Sequence, residues 1–181
     1  PSYYQRLGNK DHTWGVWVRL NSKTVVSSVT VQQMILQRAV LNGAEDATAD
    51  YFLAYYKDAT FDLFRFGLYL AAGGAVTVSH ANFTPSAGVW YLLWAWWTNA
   101  ALTAEIQVQG QVTDLSTAAS APAAPIGATL FVGDYGTGPG TGLCDLDVGP
   151  MALWHKVLTQ AQKDNYYNSG LGQVPPFFGV A

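Results

Sequence analysis

Charge is scarce in this chain. Nine Lys or Arg and twelve Asp or Glu stand among 181 residues, 12% charged against roughly 25% in an ordinary soluble domain. The formal net charge is −3 and the cations are scattered, so no basic face tracks phosphates and nucleic acid is excluded as a partner. A single cysteine, Cys144, rules out an intrachain disulfide and leaves the redox compartment open. Long apolar runs are missing too. The longest spans residues 89–97, well short of the roughly 18–20 residues of a membrane helix. No charged-then-apolar leader opens the sequence. Pro1 reads as a fragment start or as the residue left after removal of an initiator Met, and the second reading implies a chain without a cleaved leader.

What is abundant is apolar and aromatic: 50% hydrophobic and 14% aromatic residues, with seven Trp. That excludes a disordered chain, and 181 residues suit one domain with one core. Period-two alternation dominates. In residues 13–20, Trp14, Val16, Val18 and Leu20 take one side of a strand while Trp17 and Arg19 take the other. Further strands are expected over 25–31, 34–38, 51–56, 61–70, 75–80, 89–97, 104–108, 129–132 and 152–156, with Gly73-Gly74 among the turn signals between them. In 61–70, Phe64, Phe66 and Leu68 read as ordinary core. One short helix is expected near the C-terminus, where Thr159 and Gln162 form a capping box and Gly170 offers a left-handed stop. Residues 116–125, STAASAPAAP, read as a long loop, and the glycine-rich 133–143 as a surface loop. The fold class expected is therefore all-β, an antiparallel two-sheet β-sandwich of the jelly-roll kind, in one domain over 1–181.

The order of several short motifs narrows this. Thr13-Trp14-Gly15-Val16-Trp17-Val18-Arg19, Ile35-Leu36-Gln37-Arg38, Gly88-Val89-Trp90-Tyr91 and Ile106-Gln107-Val108-Gln109-Gly110 are followed by Ala152-Leu153-Trp154-His155-Lys156 and Asn168-Ser169-Gly170. Together they resemble laminin G-like domains of the concanavalin A-like lectin and glucanase superfamily, over about residues 12–170, with 171–181 an apolar tail. The resemblance implies a binding module, and two further features test what else it could be. Glucanases need two carboxylates facing one glycosidic bond. Asp145 and Asp147 alternate suitably, but the family's acid/base position falls on Pro150, and Glu105 has no acidic neighbour two or four residues away, so hydrolysis is not expected. His12, His80 and His155 lie at no metal-ligand spacing. Many family members hold calcium at the sandwich rim, and here Asp134 and Asp145 bracket the glycine-rich loop as candidate ligands, although Gly149 stands where an acid commonly completes the set.

The 89–97 strand is unusual in being apolar on both sides. Trp90, Leu92, Trp94 and Trp96 share one parity, and Tyr91, Leu93, Ala95 and Trp97 the other. By the resemblance, Leu93 and Ala95 face the core. The Trp parity is then either covered by a segment such as 116–125 or open as an aromatic platform for sugar rings or another subunit. Trp94, Trp96 and Trp17, with Arg19, are the candidate ligand-binding residues. The function expected is a non-catalytic module recognising a glycan or protein surface, placed outside the cell, at its surface or on a virion. The alternative is a structural subunit of a larger assembly, which the low charge, Tyr3, Tyr4 and the tail Val174-Pro175-Pro176-Phe177-Phe178 would suit. A glycoside hydrolase is the remote third reading; a homo-oligomer or larger assembly stays open as a partner, and membrane insertion is not expected.

Overall fold

Strands whose apolar residues recur every second position must bury one face, and here they do so as two stacked sheets. The computed structural model describes residues 10–23, 31–39, 49–71, 73–122, 129–133 and 145–168. Among these lie β1 (His12–Leu20), β2 (Val31–Ala39), β3 (Ala49–Lys57), β4 (Asp62–Tyr69), β5 (Ala75–Ser79), β6 (Trp90–Thr98), β7 (Thr103–Val108), β8 (Asp114–Thr117), β9 (Thr129–Val132), β10 (Leu146–Trp154) and the helix α1 (Gln160–Tyr167). The first sheet runs β10-β1-β6-β7-β8 and the second β5-β4-β3-β2-β9. All of these pairings are antiparallel, which is the two-sheet jelly-roll sandwich.

The inner faces are the expected ones. Trp14, Val16, Val18 and Leu20 of β1 and Leu93, Ala95 and Trp97 of β6 pack against Leu53, Tyr55, Phe64, Phe66 and Leu68 of the second sheet. Each Val, Leu or Phe among them is worth about 1.5–3 kcal/mol when fully buried. This shared core holds β1 and β6 side by side in the middle of the first sheet and aims their alternate residues outward.

Three differences from the sequence expectation have local causes. β8 runs through Asp114–Thr117, so part of the expected 116–125 loop is an edge strand. Its residues, DLST, carry no apolar alternation and remain exposed or half-exposed, which leaves no periodic signal. β10 begins at Leu146 and not near residue 152. Val16 pairs with Met151 and Val18 with Val148, so Gly149 and Pro150 together oppose Trp17 in a bulge that hides the alternation. The helix starts as expected, with both halves of the Thr159–Gln162 capping box formed, but it stops at Asn168. Asn168 takes the left-handed conformation at φ 46° and ψ 50°, which Asn tolerates, so the turn does not wait for Gly170. Strand 25–31 except Val31, Cys144, the loop 134–143, Tyr3, Tyr4 and the tail 171–181 lie outside the described residues.

Candidate functional site

The outward-facing residues of the first sheet form a grid whose rows follow from strand register. Asp147 of β10, Arg19 of β1 and Trp90 of β6 are direct neighbours. Trp17 pairs with Leu92 in the next row. Beyond it Gly15 lies between Ala152 and Trp94, and Thr13 between Trp154 and Trp96. Trp94 and Trp96 pair onward with Gln107 and Glu105 of β7. The sequence parity thus puts Trp17, Arg19, Trp90, Trp94 and Trp96 on one surface.

That surface is divided in two by α1. Trp94 and Trp96 are 0% and 5% exposed, packed with Leu92, Leu158 and Tyr166. Of the two alternatives the covered one holds, so Trp94 and Trp96 are corrected as open ligand-binding residues; the cover is the C-terminal segment and its helix, and none of the described residues 116–122 joins the cluster. Tyr166 stands edge-on to Trp94 and Trp154, with ring centroids 5.4 and 5.1 Å away. The Trp94 indole N–H donates to Gln109 Oε1 at 2.6 Å. Gly15 makes room for this arrangement: a Cβ there would lie 2.6 Å from Trp94 Cζ3 and 3.1 Å from Trp154 Cζ3. The Thr13 hydroxyl donates to the Lys156 carbonyl at 2.8 Å and accepts from the Leu158 N–H at 3.1 Å, pinning the segment that leads into α1. Gln109 Nε2 donates to Asp164 Oδ1 at 2.8 Å. Lys163 seals the contact, its ammonium 3.3 Å from the Trp96 ring centroid and donating to Gln107 Oε1 at 3.2 Å. Burial there pushes the Lys163 amine down to about 8, with Glu105 and Asp164 acting in the opposite sense.

The other half stays open. Trp90 is 43% exposed, and its six-membered ring lies against Gly149, where a Cβ would meet Trp90 Cζ3 at 3.2 Å and Trp17 Cβ at 3.0 Å. Trp17 is half-buried and stacks on Tyr167 at 6.0 Å. Beside Trp90, in its own row, sits a polar pair. Arg19 Nε donates to Asp147 Oδ2 at 2.9 Å, and Arg19 Nη2 donates to the same oxygen. Asn21 Nδ2 donates to Asp147 Oδ1 at 3.3 Å. The guanidinium carbon is 5.4 Å from the Trp90 ring centroid. The Arg19 hydrogen bonds, then that from Asn21, hold the Asp147 carboxyl below its ordinary range. Asp147 is thus an ionised hydrogen-bond acceptor and not a proton donor, which is the wrong state for the general acid of a glycosidase.

Of the sequence candidates, the structure brings Trp17 and Arg19 together in the open half and puts Trp94 and Trp96 beneath α1. Asp134 lies outside the described residues, and Asp145 is exposed just before β10, its carbonyl accepting from the Asn21 N–H at 2.9 Å. Sequence reasoning did not single out Trp90, Asp147, Asn21 and Tyr167 as members of one surface. Trp90 carried a signal, sharing the parity of Trp94 and Trp96. Asp147 carried none, because its position beside Arg19 depends on the pairing of β1 with β10, 128 residues apart. Two histidines have structural roles, His80 Nδ1 bonding the Asp114 carboxylate and His12 Nδ1 donating to the Lys10 carbonyl at 2.9 Å, while His155 is exposed.

Compared with protein-family models and with curated proteins, the chain matches none. Among solved structures it is similar to the heptameric SAP-like pentraxin of Limulus polyphemus, with a TM-score of 0.63 and 14% identity over 95% of this chain and 76% of that one. It is also similar to the CBM40 of the Ruminococcus gnavus IT-sialidase, bound to α2,3-sialyllactose, with a TM-score of 0.59 and 11% identity over 86% and 82%. A third is the botulinum neurotoxin serotype G binding domain, with a TM-score of 0.61 and 8% identity over 91% of this chain but 37% of that one. At these identities the likeness is one of fold alone, a two-sheet jelly-roll β-sandwich.

Proposed function

We propose that this chain is a non-catalytic glycan-binding module of laminin G-like architecture, working at a cell surface or in the extracellular space. It takes its ligand on the open half of the first sheet's outer face. The observation that carries this reading is Trp90, 43% exposed beside Trp17 and within reach of the Arg19–Asp147 pair. An exposed indole offers a sugar ring a flat apolar face, and adjacent fixed donors and acceptors orient its hydroxyls. The fold neighbours, a carbohydrate-binding module among them, support the same class. Pro150, standing where the resembled glucanases carry their acid/base carboxylate, argues against hydrolysis.

Trp90→Ala is expected to abolish retention on a glycan array while leaving the melting temperature within a few degrees of the parent, since the ring is at the surface. Binding that survives the substitution would remove Trp90 from the site. The donors named here are strand side chains, so chelation with EDTA is expected to leave affinity unchanged. Loss on chelation would bring Asp134 and Asp145 forward as calcium ligands. A second reading, a subunit of a larger assembly, has its own observation: Val112 and Leu115 are 66% and 61% exposed at and just before the edge strand β8. Light scattering across a concentration series separates the two, because a stable oligomer that dissociates on Leu115→Lys would favour assembly.

A further inference from the structure

We infer that the ligand is an uncharged sugar presenting neighbouring hydroxyl groups, and not an acidic one. This rests on the binding surface proposed above and concerns what that surface selects. Arg19 is the cation of the open half among the described residues, and it is already engaged. Two of its nitrogens, Nε and Nη2, donate to one oxygen of Asp147. The other cation on this face, Lys163, is buried under α1 against Trp96 and Gln107. Lys23, three residues past the end of β1, is spent on Asp62 and on the Pro85 carbonyl.

The local charge is therefore balanced at best. Arg19 and Asp147 cancel, and the exposed Asp145, two residues from Asp147, adds a negative charge. A sugar carboxylate approaching Arg19 would meet the Asp147 carboxylate on the same guanidinium, so attraction and repulsion act over similar distances. A hydroxyl pair fits the same groups without that conflict. Arg19 Nη1 makes no bond to Asp147 and can donate to one hydroxyl oxygen. Asp147 Oδ1, held among the described residues by Asn21 Nδ2 at 3.3 Å, has lone-pair capacity left to accept from the next hydroxyl. Trp90 supplies the apolar face alongside. A guanidinium next to a carboxylate thus reads a donor–acceptor pair, which is what adjacent hydroxyls present.

The test compares lactose with its α2,3-sialylated form by isothermal titration, with galactose-, glucose- and mannose-terminated neutral glycans on an array. The parent chain, Asp147→Asn and Trp90→Ala are measured together, with thermal melts as the folding check. The expected result is binding to neutral glycans, at least tenfold weaker binding of any acidic counterpart, and a tenfold or greater loss of neutral-sugar affinity on Asp147→Asn. The two hypotheses about charge give opposite signs for that variant, because removing the carboxylate would strengthen capture of an acidic sugar. Preferential binding of sialylated or other acidic glycans, raised by Asp147→Asn and lost on Trp90→Ala, would overturn the inference and leave the Trp90 surface standing. Binding indifferent to Trp90→Ala, or no binding to any glycan, would overturn both.

Discussion

Replacing Trp94 tests whether the aromatic face is architecture or site. In a sugar platform Trp94→Ala would lose ligand and keep the fold. The structure demands the reverse, because the ring is 0% exposed, edge-on to Tyr166, and its indole N–H donates to Gln109 Oε1 at 2.6 Å. Truncating a buried Trp costs about 3–5 kcal/mol. For a chain of this length each kcal/mol moves the midpoint by roughly 2–4 °C, so the melting temperature should fall by roughly 6–20 °C. Circular dichroism melts and urea titrations read this directly, with Trp90→Ala as the surface control. Gly15 sharpens the test. Gly15→Ala alone places a methyl 2.6 Å from Trp94 Cζ3, an overpacking worth about 1–3 kcal/mol. With Trp94 truncated, that methyl enters vacated space, so the double variant should be more stable than the sum of the singles by about 1 kcal/mol or more. A Trp94→Ala melting point within about 2 °C of the parent, or strictly additive energies, would refute the burial argument.

Other predictions concern the buried bases. His12 is wholly buried and burial pushes its imidazole down to about 4 from 6.5. The unfolded chain takes up a proton that the folded one refuses, so stability is full above pH 6.5 and falls by about 3 kcal/mol as the pH drops to 4. In His12→Gln, urea midpoints measured across that window should show a flatter profile, and an unchanged slope would remove His12 as the cause. Lys163 works at the alkaline end. Its folded value of about 8 lies below the ordinary 10.5, so the unfolded chain holds the extra proton and stability rises with pH between the two. That rise, taken as the difference between the parent and Lys163→Met, should be absent in the variant; parallel curves would mean the ammonium is not desolvated against Trp96.

Much of the fold could be read from residue order because its signals are local. Alternation in β1 and β4 identified the core-facing residues Trp14, Val16, Phe64 and Phe66, the family resemblance added Leu93, and all are buried between the sheets. The Thr159–Gln162 box placed the helix start to the residue. Signals failed where the backbone departs from regular pairing. The Gly149-Pro150 bulge masked half of β10, and β8 is an edge strand with little to bury. The site was legible in part: Trp17 and Arg19 were drawn from their outward parity, whereas Asp147 and Trp90 join them only through strand register.

Residue order alone makes β6 apolar on both sides and turns Trp90, Trp94 and Trp96 the same way. Which of them meet solvent depends on how the folded chain returns over that face. Parity is a property of neighbouring residues, but cover is a property of whatever the chain brings back. Here the Lys156 carbonyl and Leu158 N–H dock on the Thr13 hydroxyl across more than 140 residues and lay Tyr166 and Lys163 over Trp94 and Trp96. Trp90 lies beyond the reach of an eight-residue helix and stays open beside Arg19 and Asp147.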